Sequence, residues 1–390
     1  MAGLLTDDAL TEDFYRLGYC KIKGAIPPSV IAEFSTAIAN DLASQDPPID
    51  IHSPTTWPQN NKTRVAESAP TGLHPFWPRL LTAPKLAAAL DSIVGLDRWE
   101  LNPNPVEPGV RHWYCPVTFP EQSCAQPSAS AISEASSRPA LFHNCSTDVA
   151  LHGPITHPSR WQPVNRRRFL NSGWHIDVGP GFPNAGVRTM AGDERQGPVI
   201  LVLMSDCPRG YGGTAFVQGS HLPVLSYLRD ADVASGGVSH EDLNAEFALR
   251  MRCLTETGRV RIECENPGEG MVGVVQACGE AGDVVLLHPL VVHSGTTNCS
   301  SDVVRVMANG MARMKGGEGG EVDVVLERSL TYLGSGGGGE ALFEECTGED
   351  KKEAALLKAK KEKEKEKEKR ERVKRERAVK KREKELRQLS

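Results

Sequence analysis

The sequence predicts a mainly β protein with flanking helices, an α+β chain built on a jelly-roll-like sandwich or barrel and ending in a charged helical tail. Three observations carry this reading. Short β-branched runs bounded by Gly, Pro and Asn recur between residues 167 and 314, the signature of short strands joined by turns. Apolar residues at helical spacing precede them in the first hundred residues, as on helices with one buried face. From Asp350 the chain is almost wholly Lys, Glu, Arg and Ala, a composition that builds no core.

Taken in order, a helix is expected around Leu10 to Leu17, then Gly18 and a short strand from Tyr19 to Ile22. A second helix starts at Pro27, Pro28 and Ser29, because Val30, Ile31, Phe34, Ala37 and Ile38 follow at helical spacing and proline fits a first turn. Residues 46 to 75, rich in Pro, Asn and Thr, read as a loop, and Leu80 to Val94 as a helix. The Ser-, Pro-, Ala- and His-rich stretch 118–165 reads as an inserted loop. Strands follow at Val199 to Met204, Thr214 to Val217, Met271 to Gln276, Asp283 to Leu287 and Val303 to Ala308, with a helical interruption near 241–252. Residues 1–334 therefore form the domain, 335–350 a Gly-rich linker, and 351–390 the tail.

With 39% hydrophobic and 24% charged residues, the chain is neither fully disordered nor fibrous. No apolar run reaches the roughly 18 residues of a membrane span, and the acidic opening is unlike a signal peptide. Residues 351–390 hold 19 Lys+Arg against 9 Asp+Glu, leaving 26 against 41 elsewhere. The body is acidic and gives no electrostatic reason to bind nucleic acid, so a nucleic-acid or protein partner is expected through the tail only. The alternating signs there fit a solvated helix with charge pairs three and four apart. Ten scattered cysteines without a Cys-x-x-Cys read as reduced thiols of a cytoplasmic or nuclear protein.

The chemistry concentrates in two places. In Gly173-Trp174-His175-Ile176-Asp177, an extended strand puts His175 and Asp177 on one face, an imidazole and a carboxylate side by side as two ligands for one metal. From Gly282 an apolar stretch carries His288 and His293, and Arg305 follows in a β-branched strand. A guanidinium there is expensive unless it meets an anion, and Arg305 would clamp the far carboxylate of a dicarboxylate bidentately; the alternative places it on the solvent face. Pro289 and the spacing prevent His288 and His293 from both facing inward on one regular strand.

His175-x-Asp177, a distant His293 and Arg305 twelve positions later resemble the phytanoyl-CoA dioxygenase family of iron(II)- and 2-oxoglutarate-dependent oxygenases. Gly18-Tyr19 with Ile22-Lys23-Gly24-Ala25-Ile26, Gly212-Gly213-Thr214 with Gly219-Ser220-His221, and Gly282-Asp283-Val284 are similar to further family signatures. With gaps the resemblance spans roughly residues 8 to 314.

The resemblance implies a double-stranded β-helix, the jelly-roll or cupin-like barrel, with Fe(2+) held by His175, Asp177 and His293. It further implies 2-oxoglutarate as cosubstrate on Arg305, with help from Ser294 or Thr296, and dioxygen at an open metal position. His293 stands at the family distance from Arg305, which leaves His288 to packing or support. His143, His152 and His157 read as solvated and His221 as closing a turn. Gly179-Pro180-Gly181 with Gly186 reads as a loop beside the metal, where Phe182 and Arg188 could touch substrate. Trp174 is expected either to wall the site or to pack in the core.

The expected activity is hydroxylation of a small organic or lipid-like substrate. The resemblance also implies that halogenating relatives carry Gly or Ala where Asp177 stands here. Two other classes compete: a catalytically silent β-barrel binding protein, and a nucleic-acid-associated protein using its basic tail.

Overall fold

The computed structural model describes residues 7–58, 62–66, 76–100, 114–120, 174–176, 188–189, 196–235, 238–256, 260–262, 272–296, 298, 300, 302–315 and 324–332. The chain divides into two compact units, 1–344 and 345–390. The linker and charged tail expected from 335 onward, and the inserted loop beyond residue 120, lie outside the described residues.

Helix α1 (Asp7–Leu17) leads into strand β1 (Tyr19–Ile22), followed by helix α2 (Pro28–Ala43). Pro28 sits in the first turn of α2, where its missing N–H leaves nothing unsatisfied, and Val30, Ile31, Phe34, Ile38 and Leu42 form its buried stripe. Strand β2 (Lys62–Ala66), helix α3 (Phe76–Leu81), helix α4 (Pro84–Val94) and strands β3 (Trp99–Glu100) and β4 (Tyr114–Thr118) complete the N-terminal part. The single helix expected over 80–94 is two helices, because Pro84 cannot continue α3 and instead starts α4. Strand β2 falls in the expected loop and forms by pairing with β4 along its whole length.

Strands β5 (Arg188–Thr189), β6 (Gln196–Leu203) and β7 (Thr214–Val217) come next, then helix α5 (His221–Ser235), strand β8 (Val238–Ser239) and helix α6 (His240–Glu256). Strands β9 (Val260–Ile262), β10 (Val272–Gln276), β11 (Val284–Leu287), β12 (His293–Gly295) and β13 (Arg305–Met314) lead to helix α7 (Val324–Tyr332). The larger sheet has the order β1-β11-β6-β13-β4-β2, with β3 also on β13; the smaller has the order β12-β7-β10-β9, and β5 pairs β8. Among the described strands all pairings are antiparallel except that of β9 with β10.

Strand alternation sorts the apolar residues into three layers. Val199, Leu201 and Leu203 of β6, Val285 and Leu287 of β11 and Met307 of β13 meet Phe216 and Val275 of the smaller sheet in one cluster, the interior between the sheets. The alternate residues Ile200, Val202, Leu286, Val306 and Ala308 pack outward on α1, α2 and α4. Ala215, Val217, Val272 and Val274 likewise pack outward on α5 and α6. Both sheets are thus covered by helices on one face and share the interior on the other, which fits the jelly-roll expectation in its mixed α and antiparallel β content.

The motifs at the strand corners are joints. Asp283, just before β11, accepts hydrogen bonds from the Gly24 N–H at 2.8 Å and the Glu280 N–H at 3.2 Å and pairs with Lys21 Nζ at 2.9 Å. Gly18 has φ +82°, and a Cβ there would stand 2.5 Å from Val291 and 2.6 Å from the His221 ring, so only glycine fits this crossing. Among the described residues Cys20, Cys115, Cys207 and Cys278 are free thiols; burial raises the pKa of the first three, which keeps them inert. No described helix is long and apolar enough to cross a membrane.

Candidate active site

Strand β12 is three residues long, and its register decides which side chains see the interior. His293 lies opposite Phe216 and Ser294 opposite Ala215. Directly opposed residues project to the same face of a sheet. Phe216 belongs to the interior cluster and Ala215 to the outer one, so His293 faces inward and Ser294 outward.

The segment 174–176 adds itself to the free edge of β12. His175 and His293 form an antiparallel bridge, each backbone N–H donating to the other's carbonyl at 2.8 and 2.9 Å. Trp174 and Ile176 pack in the outer cluster with residues of α5 and α6, and alternation turns His175 to the interior. Its imidazole lies 4.2 Å from that of His293 between centroids, the planes 52° apart. Trp174 is therefore a core residue and does not wall the site. Asn244 of α6 accepts the Ile176 N–H at 2.7 Å through its side-chain oxygen and holds the segment from outside. No sequence signal marks Asn244, since its partner is a backbone group far away in the chain.

His293 is 5% exposed. Its Nδ1–H donates to the Val291 carbonyl at 2.9 Å, which assigns the tautomer and puts the ring's lone pair on Nε2, the nitrogen available to a metal. Asp177, the carboxylate expected beside His175, lies outside the described residues. Among the described residues no three His, Cys, Asp or Glu side chains gather in a metal-holding group. The two histidines do come together, and their donor set suits iron, zinc, copper or nickel.

Arg305 opens β13 on the face it shares with Met307, an interior residue, and is 4% exposed. Its Nη1 donates to the Pro116 carbonyl at 3.2 Å and its Nη2 to Thr118 Oγ1 at 2.7 Å. Both partners sit on β4, where Thr118 is the register partner of Arg305. The corner between β12 and β13 is set by Asn298, whose Nδ2 donates to the Thr118 carbonyl at 3.0 Å and to the Val303 carbonyl at 2.7 Å. Gly212, at φ +84°, approaches Asn298 so closely that a Cβ would lie 3.1 Å from it.

The two hydroxyls expected near the cosubstrate have other work. Ser294 Oγ donates to the Gly295 carbonyl at 3.2 Å on the outward side of its strand. Thr296 Oγ1 donates to the Gly213 carbonyl at 2.5 Å and accepts from Gln276 Nε2 at 2.7 Å, which ties β12 to the neighbouring strands. Both hydroxyls are thus engaged in contacts around β12.

His288 is buried, its Nδ1 accepting the Leu290 N–H at 3.2 Å and its Nε2–H donating to Ser329 Oγ at 3.1 Å on α7. His221 does not close a turn: it begins α5, fully buried, with Nε2–H donating to the Tyr15 carbonyl at 2.9 Å. Burial pushes the His221 pKa down to about 4, and burial together with His221 lowers that of His288. Arg188 lies in the short β5–β8 ladder opposite Ser239. Phe182, the Gly179-Pro180-Gly181 loop, His143, His152 and His157 lie outside the described residues.

All four residues of the expected ligand and clamp set, His175, Asp177, His293 and Arg305, fall in one segment that compares with known proteins. Residues 154–307 match the phytanoyl-CoA dioxygenase (PhyH) family. This is the family of iron(II)- and 2-oxoglutarate-dependent oxygenases that the sequence resembles. The PhyH match takes in β5 to β12 and the first three residues of β13, and so contains the whole smaller sheet.

Similar solved structures include the epimerase SnoN, crystallised with Fe3+, alpha ketoglutarate and nogalamycin RO (16% identity, TM-score 0.39, 79% of this chain and 83% of that one). HygX from Streptomyces hygroscopicus, with nickel, 2-oxoglutarate and hygromycin B, is similar at 14% identity and TM-score 0.37, over 77% and 84% of the two chains. EctD from S. alaskensis, in its apoform, is similar at 15% identity and TM-score 0.39, over 78% and 75%. No curated protein matches.

Proposed function

We propose that this protein is an iron(II)- and 2-oxoglutarate-dependent dioxygenase that hydroxylates a small organic or lipid-like substrate. His175, Asp177 and His293 would hold the metal, and Arg305 would bind the distal carboxylate of 2-oxoglutarate. The observation that carries this reading is the bridge between His175 and His293, which brings two imidazoles from distant parts of the sequence together on the interior face. Bound there, iron(II) with 2-oxoglutarate supplies the oxidation of a substrate C–H bond by dioxygen, with release of succinate and carbon dioxide.

The chain's own part is orientation and exclusion of water. The Val291 carbonyl holds the His293 ring in one tautomer, so the ring meets a metal without reorganising. Thr118 and Pro116 fix the guanidinium plane of Arg305, which presets the fork that recognises a carboxylate. The surrounding interior is apolar, with Val199, Leu201, Phe216, Leu287 and Met307, and charge pairing is stronger in such surroundings than in water.

The test is succinate formation from 2-oxoglutarate by the iron-loaded protein, measured with a panel of lipid, small-molecule, peptide and nucleobase substrates. Succinate release stimulated by one class and lost in His293→Ala supports the reading. A folded protein that binds neither iron(II) nor 2-oxoglutarate overturns it in favour of a silent binding barrel.

A further inference from the structure

The Gly219-Ser220-His221 segment has a place in the site through one peptide unit. Ser220 is fully buried. Its Oγ donates to the Val217 carbonyl at 2.8 Å and accepts the Val292 N–H at 2.9 Å. The Val292 N–H and the Val291 carbonyl belong to the same planar peptide, so they point in opposite directions. Holding one aims the other. The carbonyl so aimed is the one that accepts the Nδ1–H of His293. The Val292 carbonyl is fixed in turn by the Val217 N–H at 2.9 Å, so both sides of the residue before His293 are tied to the corner after β7.

We infer that Ser220 is the positioning residue of His293, setting its tautomer and ring plane through the Val291–Val292 peptide. This rests on the reading of His293 as a metal ligand. Without the hydroxyl, the Val292 N–H is left buried and unsatisfied, and the peptide gains reason to rotate. Rotation withdraws the acceptor that keeps the proton on Nδ1, and Nε2 no longer carries the lone pair by default. Outer partners of this kind are typically worth 10- to 100-fold in metal affinity.

The experiment uses metal-free full-length protein labelled with 15N-histidine, in which long-range proton–nitrogen spectra read each imidazole tautomer directly, and His293→Asn assigns the signal. Co(II) then serves as the metal probe, by its affinity and ligand-field spectrum. In Ser220→Ala the His293 signal should move from the Nδ1–H tautomer to a mixture, with Co(II) affinity about 10- to 100-fold weaker, and Ser220→Thr should restore both. Ser329→Ala, which removes an equally buried hydroxyl from His288, should lower stability and leave the His293 tautomer and the cobalt spectrum as in the parent. If Ser220→Ala does not fold, Ser220→Cys, a poorer acceptor of the same shape, is compared with Ser220→Thr on the same readouts. A folded Ser220→Ala or Ser220→Cys with the parent tautomer overturns the inference, as does an equal change in Ser329→Ala. A parent that binds no Co(II) removes the metal reading instead, and the tautomer measurement alone then decides on Ser220.

Discussion

His221 and His288 lie ring beside ring, 4.6 Å between centroids, each with its Nε2–H spent on an oxygen. Both are neutral in the folded protein, their pKa values lowered by burial. Above the ordinary histidine value of about 6.5 neither state binds the proton and stability is full. As pH falls from there toward 4, the unfolded chain takes up protons that the folded chain refuses, and stability is lost. The limiting slope is about 1.4 kcal/mol per pH unit for each histidine. Urea unfolding of the chelator-treated protein at pH 7.5, 6.0 and 5.0 should show this slope, and His288→Gln should roughly halve it; a flat profile would refute the assignment.

Asp283 behaves in the opposite sense. Burial raises its pKa, but the Gly24 N–H, Lys21 and the Glu280 N–H together outweigh burial and hold it below the usual carboxylate value. Its contribution is present above that value and disappears as pH falls through the lowered one. Asp283→Asn should destabilise by about 1–3 kcal/mol, because the Gly24 contact joins the N-terminal segment to β11. Lys21→Met should cost less, since Lys21 is partly exposed and such pairs are worth about 1 kcal/mol or under. Thermal unfolding of both variants orders the two effects.

Arg305→Ala should raise the 2-oxoglutarate requirement by the equivalent of about 2–5 kcal/mol and leave iron(II) binding nearly intact. Thr118→Val should do the same more weakly, because it removes the oxygen that orients Nη2. Isothermal titration of 2-oxoglutarate into metal-loaded protein checks both, and parent-like affinity in Arg305→Ala would remove the clamp.

Asp177→Ala should reduce iron(II) affinity and succinate release together, as loss of the proposed anionic ligand requires. On the proposed reading Asp177 would take the coordination position a halide needs, so the product should be hydroxylated even in high chloride. Mass spectrometry of the product distinguishes the outcomes, and a chlorinated product would refute the hydroxylase reading.

Much of the barrel was legible because its strands bury both faces and read as β-branched runs. Val284 to Leu287 is fully buried and was visible as such. Helix α5 was not, because Pro223 and the Gly-Ser start look like a turn; proline is tolerated there since the first helical turn needs no N–H partner. The histidine pair follows from the family resemblance, since spacing links only His175 with Asp177, and the facing of Ser294 depends on a register that only pairing with β7 sets. Thr118 and Asn244 left no trace in the sequence, since each acts on a side chain or backbone group far along the chain; Ser220 stood within the Gly219-Ser220-His221 signature, but its partner, the Val292 N–H, could not be read from it.

Strand β13 lies between β6 and β4, so the last of the described strands to be made is an inner one. During synthesis β6 and β4 must each wait with an open edge, and β1 waits for β11, until residues beyond 284 and then 305 have been translated. Long-range pairing of this kind folds slowly, and open edges invite pairing with other chains. A chain that stops short of Arg305 therefore loses more than the proposed clamp: its larger sheet stays in two pieces, with the edges of β6 and β4 newly exposed, a form suited to aggregation and to capture by chaperones.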